Sequence, residues 1–352
     1  MTEHIQVGAW IDGPQPGKTD EALAQWAQAI TACGITRPCI VTNVGIKPLN
    51  RSRWAVSHLR RAIAALRLAG ADEVGVMIWP VAQAQAVDDT IEDMGRLYGW
   101  RDLDKPARQL VPDFISIDAE GNSNASGWGP AGATLAGDLA EGLAEAQAGH
   151  DGCYLSCTAV PFRKGPRLQD AALLARPEVR VGEPQAYSQY QADKAWTHSP
   201  FFRPGVIQTN TWQTWSPMLE DGHLDALVFG MAIYAQDHPT GVTGVDALWL
   251  AAQTSIDLGV RRFSYWSWKH IKGATKERLQ RQDFLRELAK VKCPEPGPEP
   301  EPGPDAEYTF ADALDRLMWG DEYASMWRAG TTLRKEDTEA DDWRLTEAHD
   351  CG

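Results

Sequence analysis

Asp113-Phe114-Ile115-Ser116-Ile117-Asp118-Ala119-Glu120-Gly121 reads as a buried strand that ends in two carboxylates on one face. Strand side chains alternate with period two, so Ser116, Asp118 and Glu120 share one face while Ile115, Ile117 and Ala119 share the other. The apolar face requires helices packed against it. The acidic face implies a site, because interior carboxylates are costly unless they are paired, hydrogen-bonded or used. The Cα atoms of Asp118 and Glu120 lie about 6.5 Å apart on such a strand, so both carboxyls reach one substrate. A close pair also splits its proton affinities, so that one member stays protonated near neutrality.

Working outward, strand-like apolar runs occur at 6–12, 38–43, 73–79, 114–120, 153–160, 179–187, 226–234 and 262–269. Between them, apolar residues recur at helical spacing over 19–33, 51–68, 84–97, 131–148, 169–175, 190–196, 245–258 and 276–290. Eight strand–helix units predict an α/β protein built as a (β/α)8 TIM barrel. Residues 205–212 also read as extended, so the connection before the seventh strand is either decorated or contains a further strand. In this fold the site collects at the C-terminal strand ends. Those ends carry Asp12, Asn43, Trp79, Asp118, Glu120, Thr158, Gln185, Tyr187, Tyr234, Gln236, Asp237, Trp266 and Trp268.

After Lys292 the composition changes to Cys293-Pro-Glu-Pro-Gly-Pro-Glu-Pro-Glu-Pro-Gly-Pro304, a semi-rigid extended linker. We therefore expect a barrel domain over 1–292, a linker over 293–306 and a small acidic C-terminal domain over 307–352. So small a unit has little core of its own and is expected to bind another protein or to self-associate. The formal charge of the chain is −14. From Pro294 onward there are 16 acidic and 5 basic residues, net −11, which leaves −3 for the barrel. No basic stripe marks a nucleic-acid partner. No apolar run reaches the roughly 18 residues of a membrane span, and the N-terminus carries no signal-peptide pattern. The expectation is a soluble protein with no membrane partner. The six cysteines lack metal-ligand spacing, and Cys293 and Cys351 bracket the C-terminal segment. No histidine pattern points to a metal, and no cofactor is expected. The 15 tryptophans exceed ordinary usage; they serve either as core or as flat platforms for sugar rings.

Glu120, the longer acid and the one nearer the rim, suits the general acid that protonates a glycosidic oxygen, with Asp118 as charge stabiliser. The alternative is that the pair braces the loop Gly121-Asn122-Ser123-Asn124-Ala125-Ser126-Gly127, which is rich in backbone donors. Trp128, in the same loop, is a candidate sugar subsite, and Trp212 and Trp215 are either sugar platforms or loop anchors.

Asp113-x-x-Ser116-x-Asp118-x-Glu120 resembles the D-x-x-D-x-D-x-E signature of family 18 glycoside hydrolases, with Ser116 in place of the first inner Asp. Gln185-Ala186-Tyr187-Ser188 is similar to that family's M-x-Y-D element, and Trp266 or Trp268 stands where the family closes its eighth strand with tryptophan. Asp12, with Asp118 and Glu120, also resembles the acid set of family 25 lysozymes. These resemblances imply hydrolysis of a β-linked N-acetylhexosamine polymer, peptidoglycan above all, with Asp12, Gln185, Tyr187, Trp266 and Trp268 binding substrate; Trp79 and Tyr234 at the strand ends and Trp128 beside the acids are expected to join them. The tail, through Thr309-Phe310-Ala311-Asp312, Trp327 and Asp341-Asp342-Trp343, resembles a small phage domain family. That implies a phage or prophage lysin, held in the host cytoplasm or the virion before it acts on the wall.

Overall fold

The computed structural model describes residues 4–13, 15–45, 54–100, 106–119, 132–159, 168–187, 203–233 and 244–292. The strands are β1 (Gln6–Ile11), β2 (Arg37–Val41), β3 (Gly75–Ile78), β4 (Phe114–Asp118), β5 (Tyr154–Ala159), β6 (Val179–Pro184), β7 (Ala226–Ala232) and β8 (Arg262–Trp266). All neighbours pair in parallel and in chain order, and β8 closes onto β1 through Trp10 opposite Trp266. Around them run α1 (Asp20–Thr31), α2 (Val56–Leu68), α3 (Ala84–Tyr98), α4 (Gly132–Gln147), α5 (Leu168–Leu174), α6 (Val206–Glu220), α7 (Gly244–Asp257), α8 (Trp268–Ile271) and α9 (Lys276–Leu288). The chain is thus a (β/α)8 barrel, as its eight periodic units predict.

Local chemistry sets the helix ends. Thr19 Oγ1 accepts from the Ala22 N–H at 3.2 Å, with Asp20 and Glu21 in the first turn, so α1 starts with a capped and dipole-matched N-terminus. Gly99 ends α3 with a φ of 68°, a left-handed cap that suits glycine.

Two expectations need correction. Residues 205–212 are not extended: they open α6, where the Gly205 N–H donates to Gln208 Oε1 at 2.7 Å. The helix is held from beneath by Trp215, fully buried against β6. A Cβ on Gly182 would lie 2.6 Å from the Trp215 ring, so only glycine leaves room for it. The eighth strand stops at Trp266 rather than running to Lys269, because α8 begins at Trp268. The helix expected at 190–196, the linker 293–306 and the domain 307–352 lie outside the described residues.

Strand parity creates two cores. Ile115, Ile117 and Ala119 face the helices in the large outer core. The lumen holds a smaller cluster of Trp10, Cys39, Val41, Met77 and Phe114. At the foot of the barrel, Asp113 accepts from the Val74 N–H at 2.7 Å and pairs with Arg67 at 2.7 Å and Arg108 at 2.6 Å. The last described residues return there: the Ile5 N–H donates to the Val291 carbonyl at 3.0 Å, and His4 forms an antiparallel bridge with Lys292. Among the described residues no helix is long and apolar enough to cross a membrane.

Candidate active site

Asp118 is the last residue of β4 and faces the lumen by the same parity that sends Ile117 outward. It is buried, and its Oδ2 accepts from Trp79 Nε1 at 2.9 Å. Trp79 directly follows β3, whose Ile78 is in register with Ile117, so two adjacent strand ends bring donor and acceptor together. Across the mouth, Trp10 and Trp266 meet at 5.8 Å between ring centroids, tilted by 58°. Gly230 on β7 makes space for this, since a Cβ there would come within 2.9 Å of the Trp10 ring. Trp79, Tyr187 and Trp266 are each half-buried against the lumen cluster, and of these Trp79 contacts the carboxylate.

The remaining sequence candidates do not all reach the lumen. Gln185 is buried beside Tyr187, and its N–H donates to the Ala159 carbonyl at 2.7 Å, so both sit above β6 at the mouth. Asp12 reaches the rim but is engaged: Oδ1 accepts from the Lys269 N–H at 3.1 Å, and Oδ2 lies 3.2 Å from Lys269 Nζ. It therefore braces the start of α8, and the Lys269 ammonium sits 5.7 Å from the Trp266 ring centre. Trp268 packs into the helix-facing core: strand alternation would have placed it on the same face as Trp266, but β8 ends at Trp266 and Trp268 opens α8, which turns it away from the lumen. Glu120, Trp128 and Tyr234, with Gln236 and Asp237, lie outside the described residues. Trp212 and Trp215 belong to α6; Trp215 is core, and Trp212 packs against that core half-buried.

Beneath Asp118 lies a polar layer that the motif reading missed. Glu183 on β6 accepts from Arg37 Nη2 at 2.6 Å, from Ser116 Oγ at 2.6 Å and from Thr158 Oγ1 at 3.1 Å. Arg37 on β2 also donates to Ser264 Oγ at 3.1 Å, lies 3.3 Å from Glu73 and stacks 3.8 Å over the Phe114 ring. Burial opposes the Arg37 charge, but Tyr154, Glu183 and Glu73 outweigh it and hold the guanidinium firmly protonated. Burial likewise pushes the Tyr154 phenol up. The strand Val179-Arg180-Val181-Gly182-Glu183 carries two charges, and only the closed barrel shows that Arg180 is exposed while Glu183 is buried. Among the described residues no group of three or more His, Cys, Asp or Glu converges to hold a metal.

No family model matches the chain, and no curated protein sequence is significantly similar to it. Solved structures do match. The endo-β-1,4-mannanase from Thermotoga petrophila shares 8% identity over 82% of this chain and 77% of that one, with a TM-score of 0.53. A structure described as a glycoside hydrolase shares 13% identity over 81% and 68%, with a TM-score of 0.53. The Bacillus cereus spore cortex-lytic enzyme SleL shares 10% identity over 83% and 76%, with a TM-score of 0.50. At these identities the likeness is one of fold: the chain has the (β/α)8 barrel on which those glycoside hydrolases are built, and the barrel spans most of their length.

Proposed function

We propose that the protein is a glycoside hydrolase that cleaves a β-linked N-acetylhexosamine polymer of the peptidoglycan type. The observation that carries this reading is Asp118: a buried carboxylate at the C-terminal end of β4, oriented by the Trp79 indole, in a barrel whose lumen cluster also holds the half-buried Tyr187 and Trp266. Flat aromatic faces suit the apolar faces of sugar rings, and an oriented anion suits a cationic intermediate. In this scheme Glu120 is the general acid and base, and Asp118 holds the reacting substituent and stabilises positive charge. Tyr187, Gln185, Trp79 and Trp266 line the subsite, with Trp128 and Tyr234 from the adjoining loops. The test is clearing of purified cell-wall suspensions. Wild type is expected to clear them, while Glu120→Gln and Asp118→Asn leave them turbid but still bind. Failure of the wild type to clear walls or chitin oligomers sinks the proposal.

A second reading, a glycan-binding barrel without hydrolysis, draws support from the lumen. Ser116 occupies the inner acid position of the resembling signature, and the nearest carboxylate, Glu183, is committed to Arg37. That reading predicts unchanged glycan binding in Glu120→Gln and no release of reducing ends by any form.

A further inference from the structure

The buried layer below the mouth contains a charge pair that the proposed chemistry does not use. Arg37 and Glu183 have no solvent exposure at either side chain. Buried ion pairs are seldom more stabilising than well-packed apolar residues of the same volume, so such a pair is weak grounds for stability and invites another role. Its placement supplies one. Glu183 Oε2 lies within hydrogen-bond reach of the Ser116 hydroxyl at 2.6 Å and the Thr158 hydroxyl at 3.1 Å, and the two hydroxyl oxygens are hydrogen-bonded to each other at 2.7 Å, so their two protons are shared within a closed triangle that the carboxylate anchors. These are the lumen-facing neighbours of Asp118 in the strand lattice: Ser116 precedes it by two residues on β4, and Thr158 lies directly across in the β4–β5 register. A hydroxyl normally rotates to suit its surroundings. A charged acceptor fixes it, because charge-assisted hydrogen bonds are roughly twice as strong as neutral ones.

We propose that Glu183 is a positioning residue for Asp118: pinned by Arg37, it locks the Ser116 and Thr158 hydroxyls into a rigid floor that presents the Asp118 carboxylate to the mouth in one orientation. The inference rests on Asp118 being the site carboxylate, and it can be tested without activity because Trp79 reports on Asp118 through their shared hydrogen bond. The experiment follows the Trp79 indole N–H resonance in the 15N-labelled full-length chain, assigned by its disappearance in Trp79→Phe. Asp118→Asn marks where the resonance goes when its acceptor changes. Glu183→Gln, Ser116→Ala and Thr158→Val are each expected to move it from the wild-type position, while Thr158→Ser, which keeps the hydroxyl, leaves it in place. Ile115→Val, on the helix-facing side of the same strand, controls for stability: it lowers the melting temperature and leaves the resonance unmoved. An unmoved resonance in a folded Glu183→Gln protein overturns the proposal. Should that variant not fold, unmoved resonances in both Ser116→Ala and Thr158→Val overturn it instead. A protein that clears no walls but shows the expected shifts removes the hydrolase reading and leaves the positioning role intact.

Discussion

The hydrogen bond from Trp79 to Asp118 gives the mouth its orientation, and its loss can be isolated from the loss of the aromatic wall. Trp79→Phe keeps a flat ring and removes only the donor. A hydrogen bond to a charged group contributes about 1.5–3 kcal/mol, which corresponds to a fall in kcat/KM of roughly 10- to 150-fold. Steady-state kinetics on a soluble glycan oligomer would check this, with a drop confined to KM arguing for a role in binding alone. At this scale the motif was legible only in part. Asp118 stood out because an acid at lumen parity in an apolar strand is costly. Asp113, three residues before Ser116 in the same signature, turns out to clamp Arg67 and Arg108 at the opposite end of the barrel. Glu183 and Arg37 were opaque because 146 residues separate them and each looks like an ordinary surface charge until the barrel closes.

Among the elements, α6 shows what periodicity cannot reveal. Val206, Ile207, Thr209 and Thr211 are β-branched and favour extended backbone locally. The Gly205–Gln208 cap and the seat of Trp215 over Gly182 override that preference, as tertiary packing routinely does. Gly182→Ala forces its methyl into the Trp215 ring and is expected to cost about 1–3 kcal/mol, the usual range for overpacking a close-fitted interior. Urea unfolding followed by tryptophan fluorescence would measure it, and a cost near zero would mean that α6 is free to shift outward. Parity alone would put Trp266 and Trp268 on one face, and the end of β8 at Trp266 separates them. One faces the lumen and the other the helices, a distinction that depended on where β8 stops. The eight strands themselves were readable because each is a short apolar run flanked by helical spacing.

For the whole molecule, pH acts on the fold through His58. His58 on α2 stacks on Trp54 at 5.2 Å between ring centroids and is almost wholly buried. Burial lowers its proton affinity, Arg61 and Lys18 lower it further, and the Pro16 carbonyl offsets this only in part. The folded protein thus resists protonating His58 while the unfolded chain takes up a proton at about pH 6.5. The stability His58 confers as a neutral ring is complete above that pH and is lost as the pH falls through it. Replacing His58 with Phe keeps the stack and should flatten the decline in melting temperature between about pH 7 and pH 5. An equally steep decline in the variant would assign the pH sensitivity elsewhere.

The stitch between His4 and Lys292 has a directional consequence. Everything downstream of residue 292 joins the molecule at the pole opposite Asp118. A tether attached through that segment would therefore pull on the foot of the barrel and not on its aromatic mouth. Tension along that tether would be borne by the first strand and its seam with residue 291, leaving the rim around the carboxylate unloaded.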